Sequence, residues 1–488
     1  MKKLAIRLLI VALAGLLGGC NNWLDVKPYD SMTEEQLYSS EAGIQKALNG
    51  LYLSLASNSL YAKDMTCGAV DVLAQRYDIL SGHTYYELSA YQYDKDDPKA
   101  TFEGIWKGAY KLIADCNEFL QEVPKHQEIL PQAEYPVYRG EALAVRTFLH
   151  FDMFRLFGAA YTPAGRWQPG VPYYGYVTDI PTPILTGEAM MKNLVADIDT
   201  AIMWLAKDPV LTDGVGKDES FWDHRNFRMN YYAAWALKAR MYWYMGEDYK
   251  TQAHQIAAAL LAGKDPKTGE NNNFTGQFKS FSELTGDDAV TSDVKVQDRV
   301  YLGELLFAIH NMNRSALCKA IFSLDLEDKN ILWAQTNFIA GIYSEDGDIR
   351  KYSWDIVPSD RGARRAFVKF NTYRVFATDP YRYEAQSLIR LGELYLIAAS
   401  TTDDEQTKRH YLEELRLKRG FSNGNAAGYT DLDELLDKEY QREFYGEGQY
   451  FFFLKRNQIK VIKNNYQNTV NLNFDIPLPD SETNNRYE

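Results

Sequence analysis

The chain is short of cysteine, of histidine, of positive charge and of long apolar runs, and each shortage closes a class of function. Only 4 of its 488 residues are cysteine, too few for a disulfide-built scaffold. The 7 histidines (His83, His126, His150, His224, His254, His310 and His410) fall in no H-E-x-x-H or comparable metal spacing. His150 lies in an aromatic-rich helical segment and reads as a packed or partly exposed side chain. No G-x-S-x-G elbow and no phosphate loop occurs. Gly446-Glu447-Gly448 lacks the third glycine and the preceding strand that a nucleotide site needs. Asp346-Gly347-Asp348 fits no EF-hand and reads as a solvated turn. Lys and Arg total 53 against 66 Asp and Glu, a formal net charge of −13. With no basic stripe, nucleic acid is excluded as a partner. Past residue 20 no second apolar run is long enough to cross a bilayer.

What is present begins at the N-terminus. Lys2, Lys3 and Arg7 precede the apolar stretch Leu8–Leu17, and Leu17-Gly18-Gly19-Cys20 follows it. That order reads as a signal peptide over 1–19 rather than a membrane helix. A cysteine at the cut site resembles a bacterial lipobox, so Cys20 is expected to carry lipid, with 20–27 as a tether. Each acyl CH₂ then contributes about 0.8 kcal/mol of membrane affinity. Losing the three basic residues of the leader takes the charge from −13 to −16. Cys67, Cys116 and Cys318 remain, so at least one is unpaired. Hydrophobic content of 46% with a mean hydropathy of −0.40 fits a soluble globular body. Aromatics reach 14%, including 35 Tyr and 9 Trp. Tyrosine combines a flat apolar face with a hydroxyl, which suits sugars or peptides.

Helical periodicity dominates the rest. Phe102, Ile105, Trp106, Ala109, Tyr110, Ile113, Asn117 and Leu120 recur at three- and four-residue steps. Further helices are predicted over Tyr138–Phe157, Ala189–Leu205, Asn230–Met245, Tyr249–Leu261, Ser387–Ala399, Lys408–Arg419 and Leu432–Glu443. Tyr301–Ile309 is ambiguous between strand and helix. Paired helices with short connections predict a mainly α, tetratricopeptide-like hairpin scaffold. Long irregular insertions near 61–100, 162–186 and 263–381 are predicted to form a ligand-binding subdomain on it. The expectation is a single domain over 28–488.

Several segments together resemble the SusD/RagB family of Bacteroidetes outer-membrane lipoproteins. Trp23-Leu24-Asp25 follows the lipobox. Trp106, Tyr110, Ile113 and Cys116-Asn117 resemble a family helix, as do Gly140-Glu141-Ala142 with Arg146, Phe151 and Phe157-Gly158. Arg390, Glu393, Tyr395 and Leu396 resemble R-x-x-E-x-Y-L; Leu415, Arg416, Arg419 and Gly420 resemble the helix end that follows. Glu443-Phe444, Glu447-Gly448 and Lys455-Arg456, then Phe474–Pro479 with Glu482 and Asn485, resemble the family's close. Gln449-Tyr450 and Phe453 depart from it, which marks a divergent branch. Arg390 and Glu393, three apart on a helix, are expected to pair. Arg442 and Glu443 read as buried partners or as surface residues.

The resemblance implies a non-enzymatic binding protein with no cofactor. It would face outward from the outer membrane and serve as the lid of a SusC-type TonB-dependent transporter. Its cargo would be an oligosaccharide or, as in some members, a peptide. A surface glycosidase or a pure interaction scaffold are the alternatives. Ligand residues lie outside the family motifs. They are sought where aromatic and polar residues crowd irregular segments: Arg76, Tyr77, Tyr85, Tyr86, Tyr91 and Tyr93, and separately Asn311, Asn313, Trp333, Tyr343 and Trp354, with Trp333 foremost.

Overall fold

Apolar residues at helical spacing assemble a ladder of helices in which each packs on its successor. The computed structural model describes residues 33–216, 220–272, 274, 299–371, 384–422, 424, 426 and 428–484. The leader 1–19, Cys20 and the tether 20–27 lie outside the described residues. The first half holds α1 (Glu41–Leu55), α2 (Asp96–Glu122), α3 (Tyr135–Phe157), α4 (Gly187–Trp204), α5 (Tyr231–Met245) and α6 (Lys250–Leu261). The second holds α7 (Arg314–Phe322), α8 (Leu391–Ser400), α9 (Glu405–Lys418), α10 (Leu432–Glu443) and α11 (Gln449–Arg456). Helices α2 to α6 pack in sequence, then α6 on α8 and α8 on α9. This is the neighbour-on-neighbour packing of a tetratricopeptide-like scaffold.

Helix α3 is the axis of the first half. Every residue from Gly140 to Phe157 is buried, as its lack of a polar face predicts. A Cβ on Gly140 would lie 2.7 Å from Leu205 Cγ, so only glycine lets α3 lie this close to the end of α4. Its buried charges are all paired. Glu141 accepts from Arg225 and from the Tyr52 hydroxyl at 2.6 Å, Arg146 donates to Asp197 at 2.8 Å, and Asp152 takes Arg155 and the Tyr61 hydroxyl.

Asn230 starts α5. Its Oδ1 accepts from Ala233 N at 2.9 Å, and its Nδ2 donates to Leu306 O at 2.7 Å and Arg225 O at 2.8 Å. Asn230→Ala removes a cap and strands two buried carbonyls. A loss of about 2–3 kcal/mol is expected, read by urea unfolding; a loss under about 0.5 kcal/mol would contradict this account.

Between the helices the chain forms small antiparallel sheets, six of whose nine strands among the described residues lie in the irregular insertions. Their strands are β1 (Pro169–Pro172), β2 (Ile184–Thr186), β3 (Leu305–His310), β4 (Trp333–Gln335), β5 (Trp354–Ile356), β6 (Arg364–Phe367), β7 (Ala385–Arg390), β8 (Val461–Lys463) and β9 (Thr469–Asn471). They pair as β1–β2, β3–β7, β4–β6–β5 and β8–β9. The ambiguous Tyr301–Ile309 segment resolves into β3, buried from Leu305 to Ile309 and laddered to β7. The helix predicted over Ser387–Ala399 starts only at Leu391. Ser387–Arg390 end β7, because β3 supplies their backbone partners.

A buried ion network joins scaffold to insertions. Glu443, at the end of α10, accepts from Arg350, Arg390 and Arg419. Arg390 also pairs with Glu447 at 2.9 Å, and Arg419 with Glu304 at 2.7 Å. Glu439 accepts from Arg350, Arg416 and Arg442, and Lys369 reaches Glu447. The R-x-x-E, R-G and E-F-x-x-E-G segments of the sequence are the parts of this joint. The predicted Arg390–Glu393 pair is not made. Arg390 turns to Glu443 and Glu447, while Glu393 receives Arg240 at 2.6 Å. Arg442 and Glu443 are both buried in this network but do not pair with each other, since Arg442 reaches Glu439 and Glu345. Asp348 is not solvated either: it is fully buried against Arg350 at 2.8 Å. Gly446 and Gly448, both at positive φ, aim their N–H groups at Asp71 (2.7 and 3.1 Å). The G-E-G run is thus a turn around a buried carboxyl. Burial pushes that carboxyl up to about 7, with Arg76 and the two N–H groups opposing the shift.

Candidate functional site

The two segments singled out in the sequence meet in space. Asp78 forms an antiparallel bridge with Trp333, its N–H donating to Trp333 O at 2.7 Å. Tyr77 packs against Phe322, Phe367 and Tyr445. Trp354 packs on the same Phe367 and Tyr445, with centroids 4.9 and 4.6 Å apart. Arg76 stacks on Tyr445 at 3.6 Å, and the Tyr343 hydroxyl donates to Arg442 O.

These residues form the floor of a site rather than its surface. Trp333 is 0% exposed and Arg76 is also 0%. Tyr77, Tyr85, Tyr93, Tyr343 and Trp354 are buried as well. None of these rings offers an open face for stacking, which corrects the expectation placed on Trp333 and Trp354. Tyr85 donates to Asp64, and Tyr93 to Asn473 O at 2.6 Å. Tyr91 is half-buried, donating to Leu73 O at 2.9 Å. Asn311 is buried: its Oδ1 accepts from Asn313 N at 3.1 Å and its Nδ2 donates to Gln386. It shapes the turn into α7 and is closed to a ligand. Asn313 and Tyr86 are exposed.

The partly open groups above this floor, Gln335, Arg364 and Tyr466, are ones that sequence reasoning missed, and the buried Asp78 holds them. Asp78 Oδ2 accepts from Gln335 Nε2 at 2.6 Å and from Arg364 Nε at 3.0 Å. Arg364 lies over the Trp333 indole at 4.3 Å, with Arg361 at 5.3 Å. Tyr466, in the β8–β9 turn, is 54% exposed, and its hydroxyl lies within electrostatic reach of Asp78 and Arg364. Asn465 ties that turn down, accepting from Gln335 N at 2.9 Å and donating to Gln75 O at 3.2 Å. Arg361 is held by Asp328 and by Leu326 O at 2.8 Å.

Trp333 Nε1, Trp354 Nε1, the Tyr77 hydroxyl and two Arg76 nitrogens are buried without a hydrogen-bond partner among the described residues. The face therefore combines a rigid aromatic floor with donors and acceptors in fixed positions. Such an array suits hydroxyl-rich ligands, because each hydroxyl both donates and accepts. No cluster of three or more His, Cys, Asp or Glu with metal-binding geometry occurs among the described residues. The one sequence signal for this face was the concentration of Arg around 361–365 beside short strands.

A helical-repeat scaffold bearing an irregular polar and aromatic subdomain defines a class of binding proteins. The chain belongs to the SusD/RagB family. Residues 22–243 match the family model described as starch-binding associating with outer membrane, and residues 363–488 match that of the SusD family. Among solved structures, a SusD superfamily protein of Bacteroides thetaiotaomicron superposes with a TM-score of 0.70. It is 20% identical, over 91% of this chain and 98% of that one. Surface glycan-binding protein A of Bacteroides uniformis gives 0.64 at 16% identity, over 91% and 98%. SusD-like protein P2 of Formosa agariphila is 22% identical over 42% of this chain, and the match spans only 38% of that protein. Proteins of this family are described as carbohydrate-binding and are associated with the outer membrane.

Proposed function

We propose that the protein is a surface glycan-binding lipoprotein, anchored through Cys20, which captures an oligosaccharide and passes it to a SusC-type TonB-dependent transporter as its lid. The observation that carries the reading is the exposed Tyr466 beside Gln335 and Arg364, both held by the buried Asp78, on a family scaffold whose relatives are named for glycan binding. Tyr466 supplies the exposed ring for stacking, Gln335 and Arg364 supply hydroxyl partners, and the buried Asp78 fixes their positions. Binding without catalysis fits the arrangement, since its one carboxylate is already paired with Arg364 and Gln335. Cargo delivery also favours modest affinity, because the ligand must leave again.

Calorimetric titration of the chain from Asn21 against neutral oligosaccharides tests the proposal. Saturable heat from one glycan class is expected. Arg364→Ala and Tyr466→Ala should each weaken it by about tenfold, the worth of one charge-assisted hydrogen bond or one aromatic contact. Binding that survives both substitutions unchanged would remove this face from the mechanism. Co-purification of a large β-barrel with the membrane-extracted protein tests the transporter partnership.

A further inference from the structure

A cavity of about 380 Å³ opens between α1, the segment 220–228 and the end of β3. It shares no residue with the face around Asp78 and Arg364. The rings of Tyr52, Phe221 and Phe227 line it, with Asn49, Arg228 and His310 supplying polar groups. Its walls are fixed by contacts made elsewhere. The Tyr52 hydroxyl donates to Glu141 Oε2 at 2.6 Å and accepts from Met229 N at 3.1 Å. Arg228 donates to Asn49 Oδ1 at 2.8 Å, pairs with Glu141 at 3.4 Å and lies 4.2 Å over the Phe221 ring. Phe227 meets the His310 ring edge-on at 5.9 Å. His224 holds a left-handed backbone (φ 52°), a strained conformation that concentrates at ligand clamps.

The titratable groups at this cavity already have partners within the protein. Arg228 faces Glu141, Asp223 Oδ2 accepts from Ser220 N at 2.6 Å, and His310 Nε2 lies 2.5 Å from Glu384 Oε2. An anionic ligand would have to compete with Glu141, and a cationic one with Arg228. A purely apolar group would cover the polar side of Asn49 and Arg228 without replacing its water contacts. A neutral sugar ring satisfies both parts: its C–H faces lie on the aromatic walls while its hydroxyls reach the amide, guanidinium and imidazole. The volume suits one or two rings. We propose that this cavity is a second carbohydrate site, taking a neutral pyranose unit, and that it works independently of the Asp78–Arg364 face.

The test is saturation-transfer NMR on the full secreted chain, with the methyl glycosides of glucose, galactose, mannose and xylose as probes. Asn49 is exposed and Leu53 is 63% exposed at the cavity mouth, so substitution at either leaves the core intact, which circular dichroism verifies. At least one glycoside should bind. The cavity is read in an Arg364→Ala/Tyr466→Ala background, which disables the other face; there Asn49→Ala should weaken binding about fivefold and Leu53→Trp, which sets an indole across the mouth, should abolish it. The proposal is overturned if no glycoside binds in that background or if binding persists there in both cavity variants.

Discussion

Glu443→Gln is expected to cost at least about 3–5 kcal/mol of stability, the range for removing one partner from a buried ionic cluster. Glu443 is 1% exposed and faces Arg350, Arg390 and Arg419 together. Burial by itself would raise its pKa, but Arg419, Arg390 and Arg350 outweigh it and hold the carboxyl well below the usual range. A glutamine keeps the shape and removes the charge, which leaves three guanidiniums short of an anion in a region closed to water. The cost exceeds that of the lost hydrogen bonds, because the unpaired cations stay desolvated. The damage should centre on the joint, since Glu443 links the end of β7, the end of α9 and the segment carrying Arg350. Urea unfolding followed by tryptophan fluorescence checks this. Glu103→Gln is the control, because its 2.9 Å pair with Lys107 is largely exposed on α2 and contributes about 0–1 kcal/mol. Similar losses in the two variants would sink the account of the joint.

The second large effect is a pH dependence carried by His150. Its Nδ1 lies 3.1 Å from Arg146 O and its Nε2 lies 3.1 Å from Tyr174 N. The first nitrogen donates and the second accepts, so the ring is held neutral. A proton on Nε2 would point at an N–H. Burial, reinforced by the nearby Arg146 charge, pushes the pKa down to about 3 from 6.5. The unfolded chain thus binds a proton here below pH 6.5 while the native protein does not. The contribution of His150 to stability is complete above pH 6.5 and is lost as pH falls towards 3, at up to about 1.4 kcal/mol per unit. His83, pushed down to about 4 by burial and Lys63, acts in the same direction. Asp71, raised to about 7, acts in the opposite one, because the native state keeps its proton between about pH 4 and 7. The difference between wild type and His150→Gln isolates the one residue. Glutamine can offer a carbonyl to Tyr174 N and has no proton to gain. Wild type should lose stability relative to the variant by on the order of 4 kcal/mol between pH 6.5 and 3.5. Parallel curves across that range would refute the assignment.

Family motif and physical role coincide at the joint and separate at the site. Arg390, Arg419, Glu443 and Glu447 stood out in the sequence as parts of motifs that resemble the family's, and the structure uses all four in one network. Their pairing was not legible, since Arg390 passes over Glu393 three residues away for Glu443, 53 residues away. Trp333 drew attention as a large aromatic in an irregular segment. Burial took it out of ligand reach, because β4 lies beneath Arg361 and Arg364, whose guanidiniums cover the indole. The open groups came from Tyr466 and Gln335, which no pattern marked.

Local chemistry by itself determined the helical scaffold: the period of α2, the apolar girth of α3, the Asn230 start and Gly246 stop of α5, and the ordered motifs of the family. These depend on residues three to twenty positions apart, within reach of one helix or one turn. Only the tertiary structure decided that Asp78 meets Gln335 across 257 residues, and that α1, the 220–228 segment and β3 enclose one cavity. It also decided which of many carboxylates and guanidiniums are neutralised. Contacts between distant segments follow from how whole elements pack, and packing is set by the shape of every buried side chain at once rather than by any spacing along the chain.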